Sequence, residues 1–263
     1  MALALAIIVG DLIVVCADEG PFTEHDAEIS RDFALPHGFR ALIAATPSVA
    51  EGLASELALA FDKLGAGFEL DVKQAAYSGL RAFKQRSIDA HFESHFGQTY
   101  GEFVGSRNLI PQSTYDAEIE KARNTQFNAE LMIIGFVQGD GGDTEPVILA
   151  SHPDWSISTY AGFRAIGEGE LAADYQLRAR GLLDGGLRSV DEAIYLAFEA
   201  KRIAEISENV GSHTKLTVYS QEGGPKQIDA QGQAELSTLF ASYGPRPLSK
   251  GISIASYLQT QGT

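Results

Sequence analysis

The sequence predicts an α+β fold: a four-layer αββα sandwich, two antiparallel sheets covered by helices on both sides. Three observations carry that expectation. Strand-like runs come in blocks, and a pair of helix-like segments separates one block from the next. That order gives layers rather than the single alternation of a doubly wound sheet. The opening strands are apolar on nearly every residue, so both their faces need cover. The chain has 263 residues, 44% of them hydrophobic, enough for one substantial core. Residues 1–263 therefore read as a single domain, with an irregular insertion at 97–127.

Residues 3–9 and 12–17 are two short strands rich in Ile, Val and Leu, joined at Gly10-Asp11. Glycine supplies the positive φ that a two-residue hairpin needs. Residues 39–45, FRALIAA, form a further strand. Ser48 followed by Glu51 has capping-box spacing. Val49, Leu53, Leu57, Ala60, Phe61 and Leu64 then repeat at helical spacing until Gly65 and Gly67 end the run. A second helix is predicted over 70–95. The 97–127 stretch is polar and irregular, with room for a short helix at 116–123.

Strands follow at 130–137 and 146–150, joined by the glycine- and aspartate-rich loop 139–143, and two short ones at 155–158 and 162–166. A third helix spans 168–183. Ser189 with Glu192 is a second capping box, and it opens a fourth helix with Ala193, Ile194, Ala197 and Ala204 along one side. Residues 214–219 and 224–228 form the last strand pair.

Composition narrows the function classes. Lys and Arg total 20 against 35 Asp and Glu, a net charge of −15. So acidic a surface repels phosphate backbones and anionic lipid, which argues against nucleic acid and membrane surfaces as partners. The single cysteine, Cys16, excludes an intramolecular disulfide framework and fits a reducing cytoplasm. The apolar stretch 1–17 lacks leading basic residues and is broken at Gly10-Asp11, so it reads as strands rather than as a signal peptide or a membrane span.

Several motifs, taken in order, resemble proteasome β-type subunits, which have the N-terminal-nucleophile-hydrolase fold. ALAIIVGDLIVVCADEG resembles that family's opening, two strands that run into an Ala-Asp pair, here Ala17-Asp18. Ala165-Ile166-Gly167-Glu168-Gly169 is similar to its turn into a helix after the central hairpin, and Leu187-Arg188-Ser189-Val190-Asp191-Glu192-Ala193 to the start of the next helix. The similarity covers roughly 2–95 and 128–220, counted from motif order and spacing.

The resemblance implies a threonine nucleophile at the start of the first strand, a tuning aspartate and lysine, and a backbone N–H that binds the oxyanion. Asp18 matches the aspartate. The nucleophile position holds Ala2, whose methyl group cannot attack a carbonyl. The lysine position falls at Arg31, which keeps its proton at useful pH. The oxyanion donor falls at Pro47, which has no N–H. Glu168 replaces a serine. The resemblance thus implies a relative of threonine-type peptidases without their proteolysis, with Ala2, Asp18, Arg31, Pro47 and Glu168 as a vestigial site. It would act in self-assembly as a homo-oligomer, with other proteasome-like subunits, or as a partner-binding scaffold, and would need no cofactor or metal. Two alternatives stand beside it: an active peptidase or amidase with a relocated site, and a peptide or small-molecule binder using the vestigial cleft.

Other residues have blander readings. Asp18 doubles as an ordinary turn residue. Cys16 reads as a small buried hydrophobe. His91 and His95, four apart on a helix, have zinc-compatible spacing but read as surface decoration. Asp140 and Asp143 supply too few ligands for calcium. Trp155 and Tyr160 read as packing residues, Ser48 as a helix cap, and Gly167-Glu168-Gly169 as a turn rather than a phosphate loop.

Overall fold

A computed structural model describes residues 3–18, 29–65, 67–125, 128–139, 141–181, 189–207, 210–245 and 253–260. The first two strands, β1 (Ala4–Val9) and β2 (Leu12–Asp18), form the expected hairpin, with Val9 opposite Leu12. Gly10 has φ +58°, which a type II′ turn demands of its first central residue. Next come β3 (Ile29–Ala34) and β4 (Arg40–Ala45), then α1 (Pro47–Phe61) and α2 (Glu69–Phe96). After a helical segment, β5 (Glu130–Gln138), β6 (Thr144–Ser151), β7 (Ile157–Tyr160) and β8 (Phe163–Ile166) follow.

The next helices are α5 (Glu170–Ala179) and α6 (Val190–Ala204). The chain closes with β9 (Thr214–Ser220), β10 (Gly224–Ile228), α7 (Ala230–Tyr243) and β11 (Leu258–Thr260). One antiparallel sheet has the order β11-β10-β9-β2-β1-β8, and the other β3-β4-β5-β6-β7.

Strand alternation sorts the core into three apolar layers. Ala4, Ala6, Val15 and Ala17 of the first sheet meet Leu42, Ala44, Met132 and Ile134 of the second. The opposite face of the first sheet, with Leu5, Ile7 and Cys16, packs on α5, α6 and α7. The opposite face of the second, with Ile43, Ile133 and Leu149, packs on α1 and α2. The predicted two-sheet sandwich flanked by helices is what forms. Small residues between the sheets, such as Ala4, Ala6, Ala17 and Ala44, let the two layers approach.

Local expectations fared unevenly. Ser189 caps α6 by accepting the Glu192 N–H at 3.2 Å. Ser48 is not a cap: α1 starts two residues earlier than expected, at Pro47, with Thr46 in the cap position. Proline suits the first helical position, because its φ is preset and its missing N–H is not needed there. The α1 helix also stops at Phe61, short of the two glycines. The segment expected to be irregular is largely helical. It holds α3 (Tyr100–Gly105), capped by a Thr99–Glu102 box, and α4 (Gln112–Arg123). Phe92, Phe103, Ile119 and Ala122 give it a small core against the end of α2. The Gly139–Asp143 connection closes through a 2.7 Å bond from Gly139 N–H to Asp143 O, while Asp140 lies outside the described residues.

Candidate functional site

The anticipated site lies at the end of the sandwich where β1 begins and β2 and β4 end. Asp18 closes β2. Its N–H donates to Leu3 O at 2.9 Å. Alternation points its carboxylate the same way as Cys16, towards α6, and away from the face that carries Ala17 between the sheets. The carboxylate is 2% exposed. Its Oδ2 accepts the Gly211 N–H at 2.5 Å, and its Oδ1 is 4.0 Å from Lys201 Nζ. A Cβ on residue 211 would sit 2.8 Å from Oδ1, so glycine is needed for the approach.

Lys201 is completely buried. Its Nζ donates to Glu205 Oε1 at 2.7 Å and to Gly211 O, and Glu205 is also paired with Arg202 at 2.7 Å. Two charges of one sign thus enclose a cation, and the cluster ties β2 to the end of α6 and the loop before β9. Burial raises the Asp18 pKa above the usual carboxylate range, opposed by the Gly211 N–H and the Lys201 charge. Burial also pushes the Cys16 thiol up to about 12. A thiol so far from ionisation is a poor nucleophile, in keeping with its reading as a core residue.

Of the other expected residues, Glu168 is exposed on the turn between β8 and α5. The Gly167 N–H donates to Glu130 Oε2 at 2.7 Å, and Gly167 has φ +94°. Gly169 packs so tightly that a Cβ there would lie 2.9 Å from Ala204 Cβ and 3.3 Å from Leu3 Cδ1. The start of β1, the end of β2 and this turn therefore converge. Pro47 belongs to the opposite layer, at the first turn of α1. It offers no N–H, and since Ala50 N–H already bonds Thr46 O, Ser48 and Val49 are the donors left in that turn. Arg31 pairs with Ile43 in the ladder; its side chain, and Ala2 altogether, lie outside what is described.

A cavity of about 300 Å³ opens nearby, bordered by Glu130, His152, Trp155, Arg164 and Glu170. His152 Nε2 is 2.8 Å from Ser158 Oγ. Trp155, expected only to pack, does pack against the α1–α2 layer, but with φ +69°, a conformation unusual for a bulky residue. Arg164 pairs with Glu170 at 2.6 Å and approaches Asp174 at 3.7 Å. Burial raises the pKa of Glu170, against the pull of Arg164 and with help from Glu130 and Asp174.

His91 and His95 stack with ring centroids 4.3 Å apart. His91 faces Glu118 of α4 at 3.4 Å, and His95 Nδ1 lies 2.9 Å from His91 O. His91 therefore serves the contact between α2 and α4, while His95 bonds within α2. Among the described residues no cluster of three or more His, Cys, Asp or Glu side chains could hold a metal ion, and no helix is long and apolar enough to cross a membrane.

Sequence reasoning missed Lys201 and Gly211. The readable signal was the Lys201–Glu205 pair at i,i+4, continuing the face of α6 that carries Ala193, Ala197 and Ala204, where a lysine must find anions. No family model and no curated protein matches the chain.

Proposed function

We propose that this chain is a proteasome-like subunit without threonine-protease activity, acting in self-assembly or as a partner-binding scaffold in the cytoplasm. The observation that carries the reading is the Asp18 cluster. An aspartate that tunes a nucleophile needs its charge directed at the reacting group. Here the Asp18 carboxylate is turned to α6 and engaged by Gly211 and Lys201, so its role is to hold the fold together. The order of strands and helices agrees with the resemblance, and Pro47 itself offers no N–H at the start of α1, where Ser48 and Val49 are the donors left. Outer helices bear exposed apolar side chains, Leu171 and Tyr175 one turn apart on α5 and Leu70 and Tyr77 on α2, which suit burial against another subunit. Light scattering on the purified chain tests the assembly half. Oligomers at micromolar concentration are expected, and a strict monomer would count against it.

A second reading, a hydrolase with a relocated site, draws on the His152–Ser158 pair. A base within hydrogen-bond reach of a hydroxyl is how a serine nucleophile is activated, and a cavity with carboxylates adjoins it. Loss of turnover in Ser158→Ala separates this reading from the first.

A further inference from the structure

At the far end of the sandwich from Asp18, where β4 begins and β5 and β9 end, lies a cavity of about 440 Å³. That is within the range of small-molecule sites, roughly 300–1,000 Å³. From this cavity we infer a binding site for a small organic carboxylate with an apolar body.

Strand β4 breaks its apolar patterning at this end. The positions of β4 that face the other sheet are Arg40, Leu42 and Ala44, and the last two belong to the apolar layer between the sheets. Arg40 extends that row with a cation. The guanidinium is fixed from both sheets: Nε donates to Asp32 Oδ1 at 2.8 Å, Asp32 Oδ2 accepts from Tyr219 Oη at 2.8 Å, and the guanidinium carbon lies 6.0 Å from the Tyr219 ring centre. Arginine carries five N–H donors, and the Asp32 bond uses the Nε edge.

The charge around the cavity favours an anion. In a chain of net charge −15, Arg40 and His37 border this cavity and, among the described residues, no Asp or Glu does. The rest of the wall is largely apolar, including Phe39, Ile134 and Phe136. One guanidinium already facing Asp32 suits a single carboxylate. A phosphate dianion would need a second cation to offset its repulsion by Asp32.

The rim carries an unusual backbone. His37 holds φ +61°, strained for a residue with a side chain, and such strain concentrates at ligand sites. Gly65 also borders the cavity, and a Cβ there would meet nothing within 4 Å.

The test is calorimetric or ligand-observed NMR titration of the full chain with phenylacetate and with phenylacetamide, its neutral near-isostere. A ligand of about ten heavy atoms should bind in the millimolar range. Phenylacetate is expected to bind at least about ten-fold tighter than the amide, the effect of one charge-assisted contact. Arg40→Gln should erase that preference. Asp32→Asn, which removes the competing carboxylate, should strengthen phenylacetate binding and leave the amide unchanged. Gly65→Phe, which puts a bulky side chain at the border of the cavity, should weaken both. Equal binding of the two probes, no binding of either to the wild-type chain, or unaltered phenylacetate binding in Gly65→Phe would each overturn the inference. The last two variants keep the test decisive should Arg40→Gln fail to fold.

Discussion

Replacing Lys201 by methionine tests the Asp18 cluster directly. Methionine keeps most of the length of the side chain and removes the charge. Taking one partner from a buried ion pair costs about 3–5 kcal/mol, because the other charge stays buried without compensation. Two features place this case at the lower end. Glu205 retains Arg202, and Asp18 retains the Gly211 N–H. The expected loss is about 3 kcal/mol, or about 6–12 °C in Tm at the roughly 2–4 °C per kcal/mol typical of chains near this size. Urea unfolding followed by circular dichroism measures it. The double variant Asp18→Asn/Lys201→Met should recover part of the loss, since a neutral amide no longer needs the cation, with a coupling of about 1–2 kcal/mol. A loss below about 1 kcal/mol, or strict additivity of the two changes, would show that Asp18 and Lys201 do not act as a unit.

Two further outcomes follow from the buried acids and the thiol. Burial raises the pKa of Asp18, Glu170, Asp174 and Glu199; such groups add stability below their unfolded pKa and lose it as pH rises through the folded value. Relief of the net charge of −15 acts in the same direction. Tm at fixed ionic strength should therefore rise as pH falls from neutrality towards the ordinary carboxylate range. It should then fall at still lower pH, once the carboxylates with lowered pKa, Glu69, Glu102, Glu118 and Asp154, take up protons. A steady decline from neutrality towards the ordinary carboxylate range would contradict this. Cys16, buried and with its thiol pushed up to about 12, should resist iodoacetamide in the native chain and react fully in urea; fast native labelling would show that strand β2 is not packed as described.

The fold was legible wherever burial dictates the residue type. Strands β1 and β2 are covered on both faces, so both alternate positions had to be apolar, and the run declared itself. Ser189 could be read as a cap because its side chain makes the bond its spacing advertises. Ser48 offered the same spacing, but Pro47 fits the first helical position better and took the start of α1. Segment 97–127 misled because α4 buries only Ile119 and Ala122, too few for a periodic signal. Helix α7 escaped notice for a similar reason: it is held by Leu236, Leu239 and the close packing of Gly232.

The site was less legible than the fold. Asp18 stands out in the sequence as the end of a strand, yet its partners Lys201 and Gly211 lie over 180 residues away in sequence, and only the sheet order brings them to β2. The Asp32–Arg40–Tyr219 network likewise depends on the sandwich placing β9 opposite β3 and β4. Local spacing carries no trace of either.

The proposed lack of threonine-type proteolysis is tested by turnover of a panel of fluorogenic peptides and amides by the purified chain. The account predicts no hydrolysis above the buffer background, unchanged in Asp18→Ala and Ser158→Ala. Turnover that copurifies with the chain and disappears in a folded Asp18→Ala variant would contradict it.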